Sequence, residues 1–458
     1  MADTVTSTNN TTPVEAEGVQ AAGDIRIKEC VIIRNDFAEI DVKAYIGELN
    51  LFEDMFKNGL YGNLLMIDAS NLTQNYPIVG DEYIRLRLQT PGLDQEIYRT
   101  FKIYSITDRM MLRDTNTQSY VLHFVSTEVF LDLLSPVYST FEGKISDVVE
   151  RIFRQYLQTT RTGADDSTPL LINVPTENQV KFTSPGWSPM HCLNWLAGKA
   201  VAAGYKSPNY LFFESNKKFH FMNIEKHIDD TIASENIHQR YIYVANNLTQ
   251  NPDEVGYVKD IQKEYQKVED LQLVESFNNF KNVQNGYYAN RLVTMNIFTK
   301  TYDVYDYDHV ASYDEYKHLE NIGGKTNVAP FTNDVLRGAT SYVQFASKHR
   351  YLYNDFKDNV SDVVENVLPR RVSVVNELTN FKLIITVPGR MDAEVGSIVK
   401  FVYPDTSPRS ADDDALPRED AYYSGFYLIT AIRHKITLLK HMMIIEMVKD
   451  SYNREAGT

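Results

Sequence analysis

Cysteine is nearly absent from this chain, and its scarcity limits the possible chemistry. Only Cys30 and Cys192 occur among the 458 residues. Two isolated thiols provide neither a disulfide framework nor a metal-ligand spacing, so the sequence excludes a disulfide-stabilised secreted domain and a cysteine-based zinc site. We predict that both are small buried hydrophobic residues of a protein folded in a reducing compartment.

Long apolar runs and an excess of basic charge are missing as well. No stretch approaches the roughly 18 apolar residues that a membrane-spanning helix requires, so we expect no membrane insertion. The chain carries 46 Lys and Arg against 61 Asp and Glu, a formal net charge of -15. This balance argues against a surface that grips nucleic acid, although DNA that passes nearby without being held is compatible with it.

The two ends of the chain carry no pattern of folded structure. Met1 to Gly23 is rich in Thr, Asn, Ala and Glu and has neither a basic start nor an apolar core. These features exclude a signal peptide and predict a disordered arm over residues 1–23. Residues 451–458 are predicted to form a short C-terminal tail.

Aromatic residues are abundant, with 30 Tyr and 22 Phe, and such loading favours sheets and large interfaces. The clearest strand pattern lies near the C-terminus, where four segments rich in β-branched and aromatic residues are bounded by Gly, Pro, Asp or Ser. We predict four antiparallel strands there. The segments are Asn380 to Gly389, Val395 to Phe401, Ser424 to Arg433 and His441 to Lys449.

The same pattern occurs a second time near the N-terminus, which predicts an internal duplication of a β-unit. Three early segments, Val79 to Leu86, Phe101 to Thr107 and Ser119 to Ser126, match the last three late segments in the same order. An upstream octamer, Asn58 to Leu65, also resembles Asn285 to Leu292. Each octamer begins with Asn-Gly, which supplies the positive φ of a tight turn.

We therefore predict a set of turn and assembly residues for the repeated unit. These are Asn58, Gly59, Gly80, Asn285, Gly286, Pro388, Gly389, Gly396 and Gly425.

The predicted fold class is α+β, mainly β, with two tandem tube-like antiparallel β-barrels, an inserted α+β domain and a second insertion. The expected divisions are 1–23 for the arm, 24–136 for the first barrel, 137–236 for the α+β domain, 237–301 and 367–450 for the second barrel, 302–366 for an insertion of unknown fold, and 451–458 for the tail.

Local patterns add expectations within these divisions. The first barrel is predicted to open with a hairpin about Asn35-Asp36, and Leu51 to Phe56 is predicted to form a short helical turn. Apolar spacing predicts a helix over Lys144 to Leu157 and another from Pro189 to Gly204. The remaining predictions are a hairpin over Tyr210 to Ile224, a helix over Val363 to Leu378 broken or started at Pro369, and an exposed loop from Pro404 to Ala421.

Three short motifs invite a chemical interpretation, and each is better explained structurally. Gly323 to Thr326 mimics the end of a phosphate-binding loop but lacks the first glycine and the preceding strand. Asp303, Asp306 and Asp308 depart from the calcium-loop pattern. Neighbouring side chains such as His191 and Cys192 diverge by about 100° on a helix, which is poor geometry for proton transfer. We expect no catalytic residue, metal or cofactor.

Four segments carry a resemblance to a known family. Phe141 to Val149, Phe182 to Pro189, Tyr210 to Ser215 and Tyr423 to Thr430 together resemble the baseplate hub subunit of contractile-tailed bacteriophages. The resemblance covers roughly Ile25 to Asp450, but Tyr302 to Asn366 has no counterpart.

This resemblance implies a homotrimer in which six barrels make a pseudo-sixfold ring. Such a hub joins the hexameric tail tube protein to a trimeric central spike protein, contacts other baseplate subunits and lets genomic DNA pass through its lumen without specific binding. Its place is the tail baseplate of the virion, assembled in the host cytoplasm. A doubled unit under threefold symmetry matches a sixfold tube, and lumen carboxylates would repel DNA phosphates.

Two alternatives remain. One is the spike-hub protein of a type VI secretion or related contractile injection system. Those proteins usually continue into a β-helical spike on the same chain, whereas this sequence stops eight residues after Asp450, which favours a separate spike. The other is a tail-associated cell-wall hydrolase or glycan-binding module within Val137 to Glu235. No convincing catalytic pairing supports it, so a non-enzymatic structural protein is the favoured interpretation.

Overall fold

The fold is described from a computed structural model. It covers residues 21–112, 117–158, 168–243, 261–275, 278–297, 299–320, 342–347, 364–378, 381–405, 419–420 and 422–451. Most of the predicted arm, the centre of the Pro404 to Ala421 loop, the Gly323 to Thr326 motif and nearly all of the tail lie outside these residues.

Strands dominate the described residues. They are β1 (Arg26–Ile33), β2 (Glu39–Asp41), β3 (Ile46–Asp54), β4 (Tyr61–Asp68), β5 (Tyr83–Gln89), β6 (Glu96–Met111), β7 (Gln118–Ser126), β8 (Thr140–Lys144), β9 (Leu170–Ile172), β10 (Gln179–Thr183), β11 (Tyr210–Glu214), β12 (Phe219–Asn223), β13 (Arg240–Tyr243), β14 (Lys267–Val268), β15 (Asp270–Glu275), β16 (Ala289–Asn296), β17 (Thr301–Asp308), β18 (Val343–Ser347), β19 (Phe381–Pro388), β20 (Ile398–Val402), β21 (Gly425–Ile436) and β22 (His441–Lys449).

Short helices connect the strands. They are α1 (Leu72–Asn75), α2 (Thr127–Leu134), α3 (Ile145–Ile152, continued by a π-turn over Phe153–Leu157), α4 (Pro189–Ala197), α5 (Ile224–Ala233), α6 (Ile261–Gln266), α7 (Asn279–Gln284), α8 (His309–Ser312) and α9 (Val364–Leu378). Among the helices in the described ranges, none is long and apolar enough to cross a membrane.

One large sheet of fourteen strands organises the chain. We call β1 to β7 the first β-unit, and β13 to β15 with β19 to β22 the second β-unit; all of these strands belong to that sheet. Almost all of its pairings are antiparallel, so the expectation of a mainly β protein with large antiparallel sheets is confirmed. The α+β domain between the units, residues 137–236, carries the two small sheets β8–β10 and β9–β12–β11.

The two β-units repeat one strand order. The first contains the meander β4-β7-β6-β5 and the second contains β19-β22-β21-β20, each made of antiparallel pairs. A bulge interrupts the same pairing in both, between Ile103 and Ser105 in β6 and between Ile429 and Ala431 in β21. The pairing equates Phe101 with Tyr427, two residues away from the Gly425 suggested by the sequence match.

The octamer match does not mark this repeat. Asn58 to Leu65 leads into β4 of the first β-unit, whereas Asn285 to Leu292 leads into β16, which lies in a separate sheet between β17 and β18. The strand equivalent to β4 is β19. The prediction that 237–301 belongs to one barrel is therefore wrong for β16, because Asn-Gly signals a turn into a strand without saying which sheet receives it.

Several local predictions are confirmed and three are wrong. The β1–β2 and β11–β12 hairpins and the helix from Ile145 are present. A helix over Val364–Leu378 is present too, but it runs through Pro369 and neither breaks nor starts there. Leu51 to Phe56 is no helical turn, because β3 runs to Asp54 and pairs with β4 and β21. Helix α4 ends at Ala197 rather than at Gly204, since its backbone already leaves the helix after the cap at Gly198.

Three main core clusters fill the two β-units and the α+β domain, with some residues shared across the boundaries, and the repeat fills equivalent core positions differently. Gly62 on β4 lies opposite Phe124, whereas the equivalent pair in the second unit is Leu383 and Met447. A Cβ atom at Gly62 would lie 2.2 Å from the Phe124 ring and 2.9 Å from the carbonyl oxygen of Asn50. The small residue in the first unit therefore accommodates the larger aromatic ring.

We predict that Gly62→Ala lowers the free energy of unfolding by about 1–3 kcal/mol, because the methyl group overpacks the Phe124 ring. Urea denaturation of the purified protein measures the change. Combining Gly62→Ala with Phe124→Leu should destabilise less than the sum of the two single changes. A Gly62→Ala midpoint equal to that of the parent protein would show that the ring has room to move.

Candidate assembly interface

Strand β21 connects the two β-units. One of its edges pairs with β22 along the strand, and the other edge is divided between two partners. Residues Gly425–Leu428 pair with β20, and Ala431–Ile436 pair with Leu49–Asp54 of β3. We call the β3–β21 pairing the in-chain junction. It joins both units into one continuous sheet.

A buried carboxylate lies at this junction. Glu53 on β3 is 1% exposed and lies 3.0 Å from Nε2 of His434 on β21. It also accepts backbone N–H groups from Asn216, at 3.2 Å, and from Val395, at 3.4 Å. Asn216 lies in the β11–β12 turn of the α+β domain, and its side-chain amide donates to the carbonyl oxygen of Ala393. One carboxylate therefore contacts both β-units and the domain between them.

His434 extends this contact into the second β-unit. Its Nδ1 lies 3.0 Å from Nε2 of His441, and both rings are fully buried. Burial, and then the neighbouring His434, hold the pKa of His441 well below its usual value, so His441 is neutral. A Cβ atom at Gly389 would lie 2.1 Å from the His441 ring. Gly389, which follows the strand end at Pro388, is thus required by a close approach.

A second buried carboxylate attaches the α+β domain to the first β-unit. Glu214 at the end of β11 forms an ion pair with Arg99 of β6 and accepts the backbone N–H of Leu60 at 3.0 Å. Burial raises the pKa of Glu214, while Arg99 opposes that shift. Gly59, next to Leu60, has no room for a Cβ atom, which would lie 2.1 Å from Val129.

The other predicted turn residues lie either in the two β-units or before β16. Gly80 and Gly396 occupy matching turns before β5 and β20 with φ of +98° and +85°, a backbone conformation that favours glycine. Gly425 starts β21 against the carboxylate of Glu320. Asn285 and Gly286 lie apart from these, in the turn before β16. Asn58 lies in the bend before β4. Their role in assembly stays a prediction.

A buried ionic triad attaches residues 313–320 to the second β-unit. These residues lie in the sequence between the two segments that form that unit. Nδ1 of His318 lies 3.3 Å from Asp450 and 3.5 Å from Glu377, and its Nε2 donates to the carbonyl oxygen of Tyr313 at 3.0 Å. Burial alone would lower the pKa of His318, but the two carboxylates raise it to about 9. The triad therefore connects three segments: residues 313–320, α9 and the end of β22.

The triad also has the composition of a metal site. Its three ligand atoms lie within 4.8 Å of one another, and one imidazole with two carboxylates suits a divalent ion. A protonated His318 already places a positive charge between the carboxylates, and its Nε2 is engaged by a carbonyl group. We therefore describe the cluster as an ion triad.

The motifs weighed for chemistry have structural surroundings. Cys30 and Cys192 are both buried, as predicted, and burial raises the pKa of each thiol. Cys192 approaches the Ser184 hydroxyl, whereas His191 is exposed and contacts the Trp187 ring, so the two side chains diverge. Asp303, Asp306 and Asp308, which were weighed for calcium binding, lie in β17 and pair with β16. Asp306 forms an ion pair with Arg291, and Asp308 caps α8.

Sequence reasoning missed the buried charges. Leu49, Leu51 and Glu53 alternate along β3, so the strand period places Glu53 on the same buried face as two leucines. That parity was the available signal for Glu53. Arg99 and Glu214 gave no such signal, because their pairing spans 115 positions of the sequence.

Comparisons with known proteins agree on the fold. No protein-family model matches the chain, and no curated protein matches its sequence. The tail protein of Neisseria meningitidis MC58 aligns over 92% of this chain and 96% of its own, at 10% identity and a TM-score of 0.50. The 43 kDa tail protein of prophage MuSo2 from Shewanella oneidensis aligns over 92% and 99%, also at 10% identity and a TM-score of 0.50. This chain therefore shares the fold of solved phage-type tail proteins.

We predict that Glu53→Ala lowers the free energy of unfolding by about 3 kcal/mol or more, because it leaves buried donors from three parts of the chain without an acceptor. Denaturant titration measures the loss. Glu48→Ala on the same strand is the matched control. Its partially exposed ion pairs with Arg433 and Lys435 are expected to contribute less than about 1 kcal/mol. Equal losses in the two variants would contradict the role assigned to Glu53.

The triad predicts a pH dependence of stability. The folded-state pKa of His318, about 9, lies above the usual value of 6.5, so its contribution is complete below pH 6.5 and is lost as the pH rises through 9. Compared with His318→Gln, the parent protein should be most stabilised near pH 6 and lose that advantage by about pH 9.5. Urea titrations at several pH values measure this, with His191→Gln as an exposed control. A stability difference that stays constant over this range would refute the assignment.

Proposed function

We propose that this chain is a structural hub of a phage-type contractile tail, in which three copies form a ring that joins a hexameric tail tube to a trimeric central spike. The observation that carries the proposal is the doubled β-unit joined through β21 into one sheet. The fold shared with two solved tail proteins supports the same setting. The activity is mechanical, and no catalytic step is proposed.

Each β-unit is proposed to curl into a tube-like barrel. In the first unit the strand order runs from β3 to β2, and these end strands are separated in sequence only by residues 42–45. In the second unit it runs from β15 to β14, separated only by Glu269. End strands that are consecutive in the chain hold the two ends of the sheet near each other, which supports a tube-like curl of each unit without requiring that the end strands pair.

Symmetry explains why a hub would carry the unit twice. Three copies related by a threefold axis present three of each unit, and the shared strand order makes the six units nearly equivalent. A ring of this kind meets a sixfold tube on one face and a threefold spike on the other without leaving a subunit unmatched. We place the tail tube, the spike, other baseplate subunits and the passing DNA as its partners, in the virion.

The charge of the chain fits a DNA conduit. With a net charge of -15 the assembled ring is strongly acidic, so phosphate groups gain no binding energy from its overall field. DNA can then pass without being held. The rival spike-hub of a secretion machine shares the barrel plan and differs in its partners. The rival hydrolase would need a catalytic pair, and His191 with Cys192 does not provide one because their side chains diverge.

The test is the assembly state of the full-length protein. Native mass spectrometry over a range of concentrations, with and without a candidate spike protein, should show three chains, and electron microscopy should show a threefold ring with a central channel. A dimer, a tetramer, or a chain that stays monomeric with the spike present would overturn the proposal. A cell-wall zymogram addresses the enzymatic rival, and clearing would favour that rival.

A further inference from the structure

Two strand edges have no partner among the described residues. Strand β6 pairs with β7 along one edge, and its other edge pairs with β5 as far as Lys102. The N–H of Ile103 still donates to the carbonyl oxygen of Glu82, so the part of that edge without a strand partner in the described residues is Tyr104 to Met111. Strand β15 pairs with β19 on one edge, and no described strand pairs with its second edge. Open edges with apolar side chains are sites of strand addition.

Strand β15 is the repeat equivalent of β3. Leu49 pairs with Leu64 and Leu271 pairs with Ile385, and these partners are themselves equivalent through β7 and β22. The sequences agree as well, since Glu48-Leu49-Asn50-Leu51 corresponds to Asp270-Leu271-Gln272-Leu273. The two strands therefore offer the same kind of edge.

Strand β6 is, in the same way, the equivalent of β21. Both are long, at 16 and 12 residues, and both carry the shared bulge. The half of β21 beyond that bulge is the half that pairs with β3 in the in-chain junction. The half of β6 beyond its bulge is the open one.

Equivalent apolar side chains differ in exposure between the in-chain junction and the two open strands, as expected if the open strands lack a partner. Leu51 and Ile436 in the in-chain junction are 0% exposed, whereas their equivalents Leu273 and Met111 are 44% and 79% exposed. Neighbouring Met110 and Val274 are 61% and 46% exposed. Apolar groups that are covered in one copy of the repeat are therefore uncovered in the other.

We propose that β15 of a second copy of this chain pairs antiparallel with the outer half of β6, repeating between chains the junction that β3 and β21 form within one chain. The inference rests on the proposed threefold ring and specifies its contact. In the sheet order β15 and β6 lie at the two ends of an eight-strand run, β15-β19-β22-β21-β3-β4-β7-β6. Pairing of these ends is head-to-tail and closes into a ring when the rotation allows it.

The in-chain junction gives the register. Asn50 pairs with Lys435 and Leu49 with Ile436, so Gln272 should lie opposite Met110 and Leu271 opposite Met111. The in-chain pair Phe52 and Arg433 corresponds to Glu275 and Thr107, which lie beyond an irregularity in each open strand.

Irregularities in the two open strands match each other. Relative to β21, β6 contains one additional residue between Thr107 and Met110. Relative to β3, β15 contains one additional residue between Gln272 and Glu275, where its pairing with β19 shifts. Both additions fall at the same level of the proposed pair, so the register is restored beyond them.

Cysteine cross-linking tests the register in the full-length protein. Directly opposed residues of an antiparallel pair have Cα atoms about 4.5–5.5 Å apart, a distance that a disulfide spans. The variant Met110→Cys with Gln272→Cys should form covalent dimers and trimers on mild oxidation. A second variant, Met111→Cys with Leu271→Cys, tests the neighbouring pair independently of any local misfolding.

Two controls make the result specific. Asn50→Cys with Lys435→Cys places the equivalent pair in the in-chain junction. It should cross-link within one chain, so the protein still runs as a monomer on non-reducing gels. Met110→Cys with Asp270→Cys is displaced by two residues and should cross-link about tenfold less, because the Cα atoms lie beyond disulfide reach. Met110, Met111 and Gln272 are exposed and Leu271 is half-buried. The thermal midpoint of each variant checks that it still folds.

The outcomes separate this inference from the proposed function. Covalent trimers from both inter-chain variants support both. A threefold ring by mass and microscopy, without cross-linking at 110 and 272 or at 111 and 271, overturns the inference and leaves the proposed function intact. Cross-linking that stops at dimers in a protein that never forms trimers supports the strand pair and overturns the ring. Preferential cross-linking of the displaced pair overturns the register.

Discussion

The buried carboxylate of Glu53 is the constraint on which the arrangement of this protein depends. A charge removed from water must be paired and hydrogen-bonded, because an unpaired buried ion is strongly destabilising. Its donors come from β21, from the β11–β12 turn and from the segment before β20. They can reach Glu53 together only if both β-units and the α+β domain are correctly placed. The interaction therefore favours one relative placement of the two β-units and the α+β domain, whose core clusters also share residues across their boundaries, such as Phe213 and Ile436.

A second constraint follows from strand edges. A unit that is duplicated within one chain doubles the number of unpaired backbone groups, and these must be covered. The length of β21 solves this problem inside the chain, since its edge serves β20 of its own unit first and β3 of the other unit next. Strand β6 is long enough to pair with two partners in the same way, but in the part of the chain that the structure describes no second strand pairs with its outer half. The fold thus contains one formed junction and a second edge of the same design that the described residues leave unpaired.

Local sequence patterns predicted what depends on neighbouring residues. The late strands are predictable because their β-branched runs are bounded by turn residues, and the Ile145 helix is predictable from its apolar spacing. Errors came where local chemistry is ambiguous. The Asn-Gly octamer marks a turn in two unrelated sheets, and Leu51 to Phe56 resembles a helical turn although pairing on both edges makes it a strand. Arg99 with Glu214, and His318 with Glu377 and Asp450, join distant positions that no local pattern connects.

Three segments of the sequence predict the repeat, whereas the part that defines its junction is too short to be recognised from sequence. Glu48-Leu49-Asn50-Leu51 and Asp270-Leu271-Gln272-Leu273 agree in charge, size and alternation, but each is only four residues long. Their equivalence becomes evident through their partners, because pairing with β4 and β19 fixes the register residue by residue. A structural repeat can thus be exact in pairing where the sequences share little more than hydrophobic parity.

Charge distinguishes the two versions of the junction. Within the chain, Arg433 and Lys435 of β21 both reach Glu48 of β3, at 3.6 and 3.2 Å. Thr107 and Met110, their equivalents on β6, carry no charge and would leave Glu48 without a cation. Partially exposed ion pairs contribute little stability, about 0.2–1 kcal/mol each, but they discriminate between two otherwise similar edges. They favour pairing of β3 with β21 of its own chain over pairing with β6, whose outer half we assign to β15 of a second copy.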